Sequence, residues 1–461
     1  MGWIRAAATV AGVGSLLIAV GCQGEPPERD YTRAVDYTER LGCAPSTQRL
    51  IDAAGPLEPI PTGPDVDPEP VAARPTLAFV ESIGVNIHMT YTNTPYIDHD
   101  RVLETLQETG IRHVRDALVP GREVEQSTFL ARLAEQDGCA QLILGGDTVD
   151  DDGLAQSLQL VRQQADVVSG VEGPNEMDGS KIDDWPDAAS DQQRLIASGL
   201  RGQPELEQTP VAALSVSRLA AYGKAGDQSE TSDLANIHPY PGGDPPEGEL
   251  EPHIQAARKI AGDAPVIVTE TGYHNALGDE EAHPGISEEA EAVYLPRLLL
   301  DAFARGVVRT YLYELVDEFP DGDGDDEASF GLYRNDWSPK PAADSVATLV
   351  SLLSSTSSSS SKAGSLEVAV RAADDADVRS LLLADDEGYW LALWQPTSVY
   401  DYDDQEDIDV REEAVTVMLG GAADVTIHDL IGDGPARAVA DVEEIEVDVS
   451  AEPRLVRVEP R

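Results

Sequence analysis

Lysine is nearly absent from this chain: five stand in 461 residues, at Lys181, Lys224, Lys259, Lys340 and Lys362. With 85 acidic residues against 32 basic ones the formal charge is −53 at pH 7. Such a charge repels a nucleic-acid backbone, and no basic stripe offsets it, so a nucleic-acid partner is excluded. Aromatic residues are scarce as well, at 5%. No glycine-rich phosphate loop follows an early strand, which argues against an open dinucleotide-binding sheet. No Gly-x-Ser-x-Gly elbow is present, which argues against an α/β serine hydrolase. There is no His-Glu-x-x-His and no Cys/His cluster, so no catalytic metal is expected, and no cofactor.

What is present is a globular chain, 41% apolar and long enough for two or three domains. The acidic residues are spread over its whole length. A dispersed acidic surface with few lysines suits concentrated salt, where the Debye length falls to about 3 Å at 1 M and self-repulsion is screened. Arg5 precedes an apolar run from Ala6 to Val20, which ends in Gly21-Cys22. Residues 1–22 read as a lipoprotein-type export signal, with lipidation at Cys22 anchoring an extracellular protein to a membrane. A plain signal peptide with an incidental cysteine is the alternative. Cys43 and Cys139 remain, paired or free.

Residues 23–74 are rich in Pro, Gly, Asp and Glu and read as an acidic tether, with a short helix over Tyr31–Leu41. From residue 75 to 353 short apolar runs alternate with helical patterns. The runs are Ile83–His88, Ile111–Asp116, Ala140–Leu144, Asp166–Val171, Pro210–Val216, Leu234–His238, Pro265–Glu270 and Val308–Glu314. Helices are predicted over Arg101–Thr109, Glu123–Gln136 and Gln192–Leu200, and from a Ser287 N-cap to Ala304. Eight strand–helix units predict a (β/α)₈ TIM barrel. Ser354–Ser361 falls in a flexible linker, 354–363. Residues 364–461 then change to a period of two and predict a small antiparallel β-sandwich. Asp321 to Glu327 is an acidic loop that fails the calcium-loop pattern, since Leu332 stands where the final Glu belongs.

In a barrel the active site lies at the strand ends. Those ends carry His88, Arg115-Asp116, Asp147, Asn175-Glu176, Ser215, His238 with Tyr240, Glu270, and Glu314 with Asp317. Two glutamates stand out: Glu176 in Gly173-Pro174-Asn175-Glu176, and Glu270 in Val266-Ile267-Val268-Thr269-Glu270-Thr271-Gly272-Tyr273. Alone each reads as a surface residue. At strand ends four and seven they form a candidate pair of catalytic carboxyls.

This pattern resembles the clan of retaining (β/α)₈ glycoside hydrolases that includes family 5 cellulases and family 39 xylosidases. The resemblance implies a carbohydrate substrate, with Glu176 as acid/base and Glu270 as nucleophile. It also implies that Asn175 bonds the sugar 2-hydroxyl and that Arg115 keeps Glu270 ionised. His88, His238 and Tyr240 would lie about the pair, with Tyr273 and Glu314 as further substrate-site candidates. Two departures are visible. Met177 follows Glu176 where many members have proline, and Tyr313-Glu314-Leu315 stands where many place a tryptophan platform. Two other readings share the fold: a sugar-binding surface lipoprotein without catalysis, and an envelope transglycosylase.

Overall fold

The computed structural model describes residues 42–278, 283–320, 326–354, 364–432 and 436–461. The expected signal and Cys22, the Tyr31–Leu41 helix, the serine run beyond Ser354 and the acidic residues 321–325 lie outside them. Among the described residues no helix is long and apolar enough to cross a membrane.

Eight parallel strands form the barrel: β1 Ile83–Asn86, β2 His113–Ala117, β3 Cys139–Ile143, β4 Val168–Glu172, β5 Val211–Ala212, β6 Ala235–Ile237, β7 Val266–Thr271 and β8 Thr310–Leu312. Each pairs with its sequence neighbour, β8 returns to β1, and a bridge from Ala212 to Leu234 joins the last two edges. These strands are buried on both faces, which is why they read as near-continuous apolar runs. Two of the helices obey the end signals read from the sequence. Asp98 accepts from the Arg101 N–H to start His99–Thr109, and Gly110, at φ 73°, ends it. Ser287 caps Glu288–Ala304 by accepting from the Ala290 N–H at 3.0 Å.

The segment expected as a tether is ordered from residue 42 onward. Cys43–Ala53 is a helix, and Thr62–Gly63, Glu69–Ala72 and Arg74–Pro75 are strands in the C-terminal sheet. The prolines that suggested a linker suit edge strands, where a missing N–H faces no partner. The helix lies at the N-terminal mouth of the barrel, where Arg309 donates to Thr47 Oγ1 at 3.0 Å. It is pinned there by a Cys43–Cys139 disulfide, with Cα atoms 5.5 Å apart and a separation of 96 positions in sequence. Replacing both cysteines by alanine should lower the unfolding free energy by about 2–4 kcal/mol. Denaturant unfolding in molar salt reads this directly; unchanged stability would mean the bridge does not form.

The C-terminal domain contains β9 Ser365–Arg371, β10 Arg379–Ala384, β11 Tyr389–Trp394, β12 Glu413–His428, β13 Arg437–Val449 and β14 Arg454–Pro460. They and the three early strands make one continuous nine-stranded, largely antiparallel sheet. Alternate residues such as Val368, Val370, Leu391, Leu393, Val415, Val417, Val456 and Val458 gather in a single core. The domain also touches the rim of the barrel. The Tyr402 ring lies where a side chain on Gly243 would collide with it, and Gln405 Nε2 donates to the Leu277 carbonyl at 2.6 Å.

Candidate active site

The C-terminal mouth of the barrel opens on a cavity of about 670 Å³, lined among others by His88, Arg115, Asp116, Asp147, Asn175, Glu176, Tyr240, Glu270, Tyr313 and Phe330. Strand β4 delivers Glu176 through the turn Gly173-Pro174-Asn175. A side chain on Gly173 would meet Gln193 Oε1 at 1.8 Å and the Leu214 backbone nitrogen at 3.0 Å, so the buried Gln193 would have to move to admit one. Glu176 has φ 44°, in the left-handed region that costs a bulky residue about 1–2 kcal/mol. The strain is held by a bond from its N–H to Ser215 Oγ at 3.2 Å, from the end of β5. It turns the carboxyl of Glu176 into the cavity instead of along the strand.

Glu270 sits on β7, 8% exposed. Arg115 Nη1 donates to its Oε1 at 2.5 Å, and the Tyr240 hydroxyl donates to its Oε2 at 3.0 Å. Burial alone would raise its pKa. The charges of His238 and Arg115, with bonds from Arg115 and Tyr240, outweigh burial and hold it down at about 2. Glu270 is therefore an anion at every ordinary assay pH. Oxygens of Glu176 and Glu270 and a nitrogen of His238 all lie within 4.8 Å of one another.

Arg115 is the hub beneath them. It also bonds Glu172, Asn86 Oδ1 at 2.9 Å and Asn175 Oδ1 at 2.7 Å. Asn175 Oδ1 accepts from Ser215 too, at 2.9 Å. With its oxygen committed twice, Asn175 presents its amide N–H₂ to the cavity as a hydroxyl donor. His238 is buried under the pair, its Nδ1 2.6 Å from Glu176 Oε1 and 3.6 Å from Glu270 Oε2. Burial opposes its charged form, but Glu270 and Glu176 prevail and raise its pKa.

His88 lines one wall, with Tyr91 stacked over it at 4.3 Å between ring centres. Burial again opposes the charge, and Glu314, Asp116 and Glu318 overcome it, lifting His88 to about 9. Glu314 does not line the cavity. It is 0% exposed, accepts from the Tyr96 hydroxyl at 2.7 Å and lies 3.2 Å from His88 Nε2, so it reaches the site only through His88. Tyr273 is a correction to the sequence reading. It is 1% exposed, packs 5.2 Å from Tyr294 and donates to the Asp244 carbonyl, away from the cavity. Three residues beyond Glu270 the chain has already turned outward into the helix layer. Where a tryptophan platform was missing, Tyr313 and Phe330 supply an aromatic wall, edge to face at 5.3 Å.

Sequence reasoning missed Asn86, Glu172, Asn236 and Thr269. Their signal was a polar residue inside an otherwise apolar barrel run, which a buried strand tolerates only with partners. Two groups could be suspected of holding a metal ion, His88–Glu314–Glu318 and Glu176–His238–Glu270. In these groups the imidazole nitrogen lies 3.2 Å from Glu314 Oε2 and 2.6 Å from Glu176 Oε1.

No protein-family model and no curated relative matches the sequence. Solved structures do match. A family 39 glycoside hydrolase from the gut symbiont Bacteroides cellulosilyticus is 15% identical, covering 84% of this chain and 81% of that one, with a TM-score of 0.53. A glucosidase from Croceicoccus marinus is 12% identical, covering 88% and 100%, at a TM-score of 0.54. A family 51 α-L-arabinofuranosidase from Bifidobacterium longum is 12% identical, with the same coverage and TM-score. The chain therefore has the (β/α)₈-barrel fold of these glycoside hydrolases.

Proposed function

We propose that the protein is an exported retaining glycoside hydrolase, lipid-anchored at Cys22 and adapted to salt, acting on an extracellular glycan. One observation carries the reading: oxygens of Glu176 and Glu270 lie within 4.8 Å across the barrel mouth. Retaining enzymes hold their carboxyls about 5–5.5 Å apart, while inverting ones leave about 6.5–9.5 Å for a water. The unequal surroundings support distinct roles. Glu270, clamped by Arg115 and Tyr240, is a permanent anion and fits the nucleophile. Glu176 is less buried and shares a hydrogen bond with His238, which fits a proton carrier.

In the first step Glu270 attacks the anomeric carbon while Glu176 gives its proton to the departing glycosidic oxygen. In the second, Glu176 takes a proton from water as the water oxygen displaces Glu270 from that carbon. Asn175 donates to a sugar hydroxyl, and Tyr313 and Phe330 offer a ring surface to the sugar face. The Cys43–Cys139 disulfide fits an oxidising compartment outside the cytoplasm, which favours export.

The test is a panel of β-glucan, xylan, mannan and aryl glycosides in molar salt. Products are read by NMR before they mutarotate, and an activated 2-fluoro glycoside is added for intact-mass analysis. The expected result is a product of retained configuration and one glycosyl adduct on Glu270. An inverted product, or binding without release on every substrate by folded protein, would overturn the reading.

A further inference from the structure

Beneath Glu176 runs a line of hydrogen bonds whose directions can all be assigned. It starts at Arg115, whose guanidinium can only donate, and it donates to Glu172. Glu172 also accepts from Asn236 Nδ2 at 2.9 Å, and the same nitrogen donates to the Ala213 carbonyl at 3.2 Å. Both neighbours are acceptors, so the Asn236 amide cannot be flipped. Its Oδ1 therefore faces Thr269 Oγ1 at 2.7 Å and must accept the Thr269 hydroxyl proton. With that proton committed, Thr269 Oγ1 can only accept from His238 Nε2, 2.8 Å away. Nε2 must carry a hydrogen. Asn236, Thr269 and His238 are 1%, 0% and 2% exposed, so water does not compete for these bonds.

We infer that Thr269 and Asn236 are positioning residues that fix the tautomer of His238 and so keep a single exchangeable proton between His238 Nδ1 and Glu176. This deepens the glycosidase reading and rests on it for its catalytic meaning. In the neutral ring Nε2 holds the hydrogen and Nδ1 is a bare acceptor. The one proton between Nδ1 and Glu176 Oε1 is then the proton that leaves with the glycosidic oxygen. When Glu176 takes a proton from water in the second step, that proton refills the same position. The opposite tautomer would leave a hydrogen on Nδ1 in every state, and Glu176 would face a permanent donor. The groups that bear on His238 are Glu176 and Glu270 in front, Arg115 beside them, and Tyr222 and His253 behind. Two carboxylates dominate that set, so the shared proton is retained above the ordinary histidine range.

The experiment has two arms. Nitrogen-15 and carbon-13 spectra of the histidine side chains, eight in the whole chain, identify the His238 tautomer in the intact protein. The expected state on the alkaline side of its titration is the Nε2–H form. A neutral ring with hydrogen on Nδ1 would overturn the inference. This arm needs no turnover, so it stands even where every glycoside fails and the glycosidase reading falls.

The second arm compares Thr269→Val and Thr269→Ser. Valine keeps the shape and removes the acceptor, so the imidazolium loses a partner and the shared proton departs at lower pH. The alkaline limb of kcat/KM should move down by about one pH unit, a tenfold loss on that side. Serine should restore the wild-type limb. Loss of activity by one factor at every pH would show that Thr269 only packs, and would overturn the inference. Should the valine variant fail to fold, the wild-type tautomer still decides.

Discussion

Glu270→Gln will fold and bind, and it will not turn over. The amide keeps the shape of the side chain, and its oxygen can still accept from Arg115 while its nitrogen meets the Tyr240 hydroxyl as donor. What is lost is the nucleophile, so kcat should fall on the order of 10⁴-fold or more on every substrate. Glu176→Ala should behave differently, because a general acid matters in proportion to how badly the leaving group needs a proton. Unactivated glycosides should lose about 10²–10⁴-fold, and aryl glycosides with acidic phenols far less in the first step. Azide, small enough to enter the space vacated by Glu176 and needing no general base, should then give a glycosyl azide with the substrate's own configuration. Equal losses on both leaving groups would remove Glu176 from the acid/base role, and turnover by Glu270→Gln would remove Glu270. The pH profile adds a check. Since Glu270 is held at about 2, its protonation should not shape the acid limb above pH 4, and the alkaline limb should report the proton shared by Glu176 and His238.

The barrel and the two carboxyls that meet at its mouth were legible because buried parallel strands write themselves as apolar runs, and the polar residue closing each run falls at the mouth. Observed strand limits sit within a few residues of the apolar runs, with β5 and β8 the most shortened. The early strands were not legible. Glu69–Ala72 and Arg74–Pro75 are short, proline-bearing edge segments, and only pairing with β9 and β10 makes them strands. The buried network was hidden for another reason. Glu172 and Asn236 look like defects in apolar strands until the closed barrel brings β2, β4 and β6 around one axis. Tyr273 shows the converse error, because closeness in sequence to Glu270 does not place a ring beside the substrate.

Arg115→Met should damage stability and activity together, and pH should tell the two effects apart. The side chains of Arg115, Glu172 and Glu270 are 2%, 1% and 10% exposed, and the guanidinium faces both carboxylates. Methionine fills a similar volume and strands two buried carboxylates, a loss of about 3–5 kcal/mol at neutral pH. Lysine should rescue only part of it, since one ammonium cannot fork towards Glu172, Glu270, Asn86 and Asn175 at once. The sign of the pH dependence follows from Glu270. Its folded pKa, about 2, lies below the unfolded glutamate value of about 4.3, so it contributes stability above that value which fades as pH falls towards 2. Without Arg115 the depression shrinks, because only His238 and Tyr240 remain to oppose burial, which pushes the carboxyl the other way. The deficit of Arg115→Met against wild type should then be greatest near pH 7 and shrink as the medium is acidified through pH 4, where the stranded Glu270 takes up a proton. Denaturant unfolding of both proteins at pH 7 and pH 4 in molar salt measures it. Alongside, the acid limb of kcat/KM should climb into the assay range, because a nucleophile without its guanidinium must lose a proton before it can attack. A deficit independent of pH, with an unmoved acid limb, would mean that Arg115 fills space at the barrel axis and does not hold the charge of Glu270.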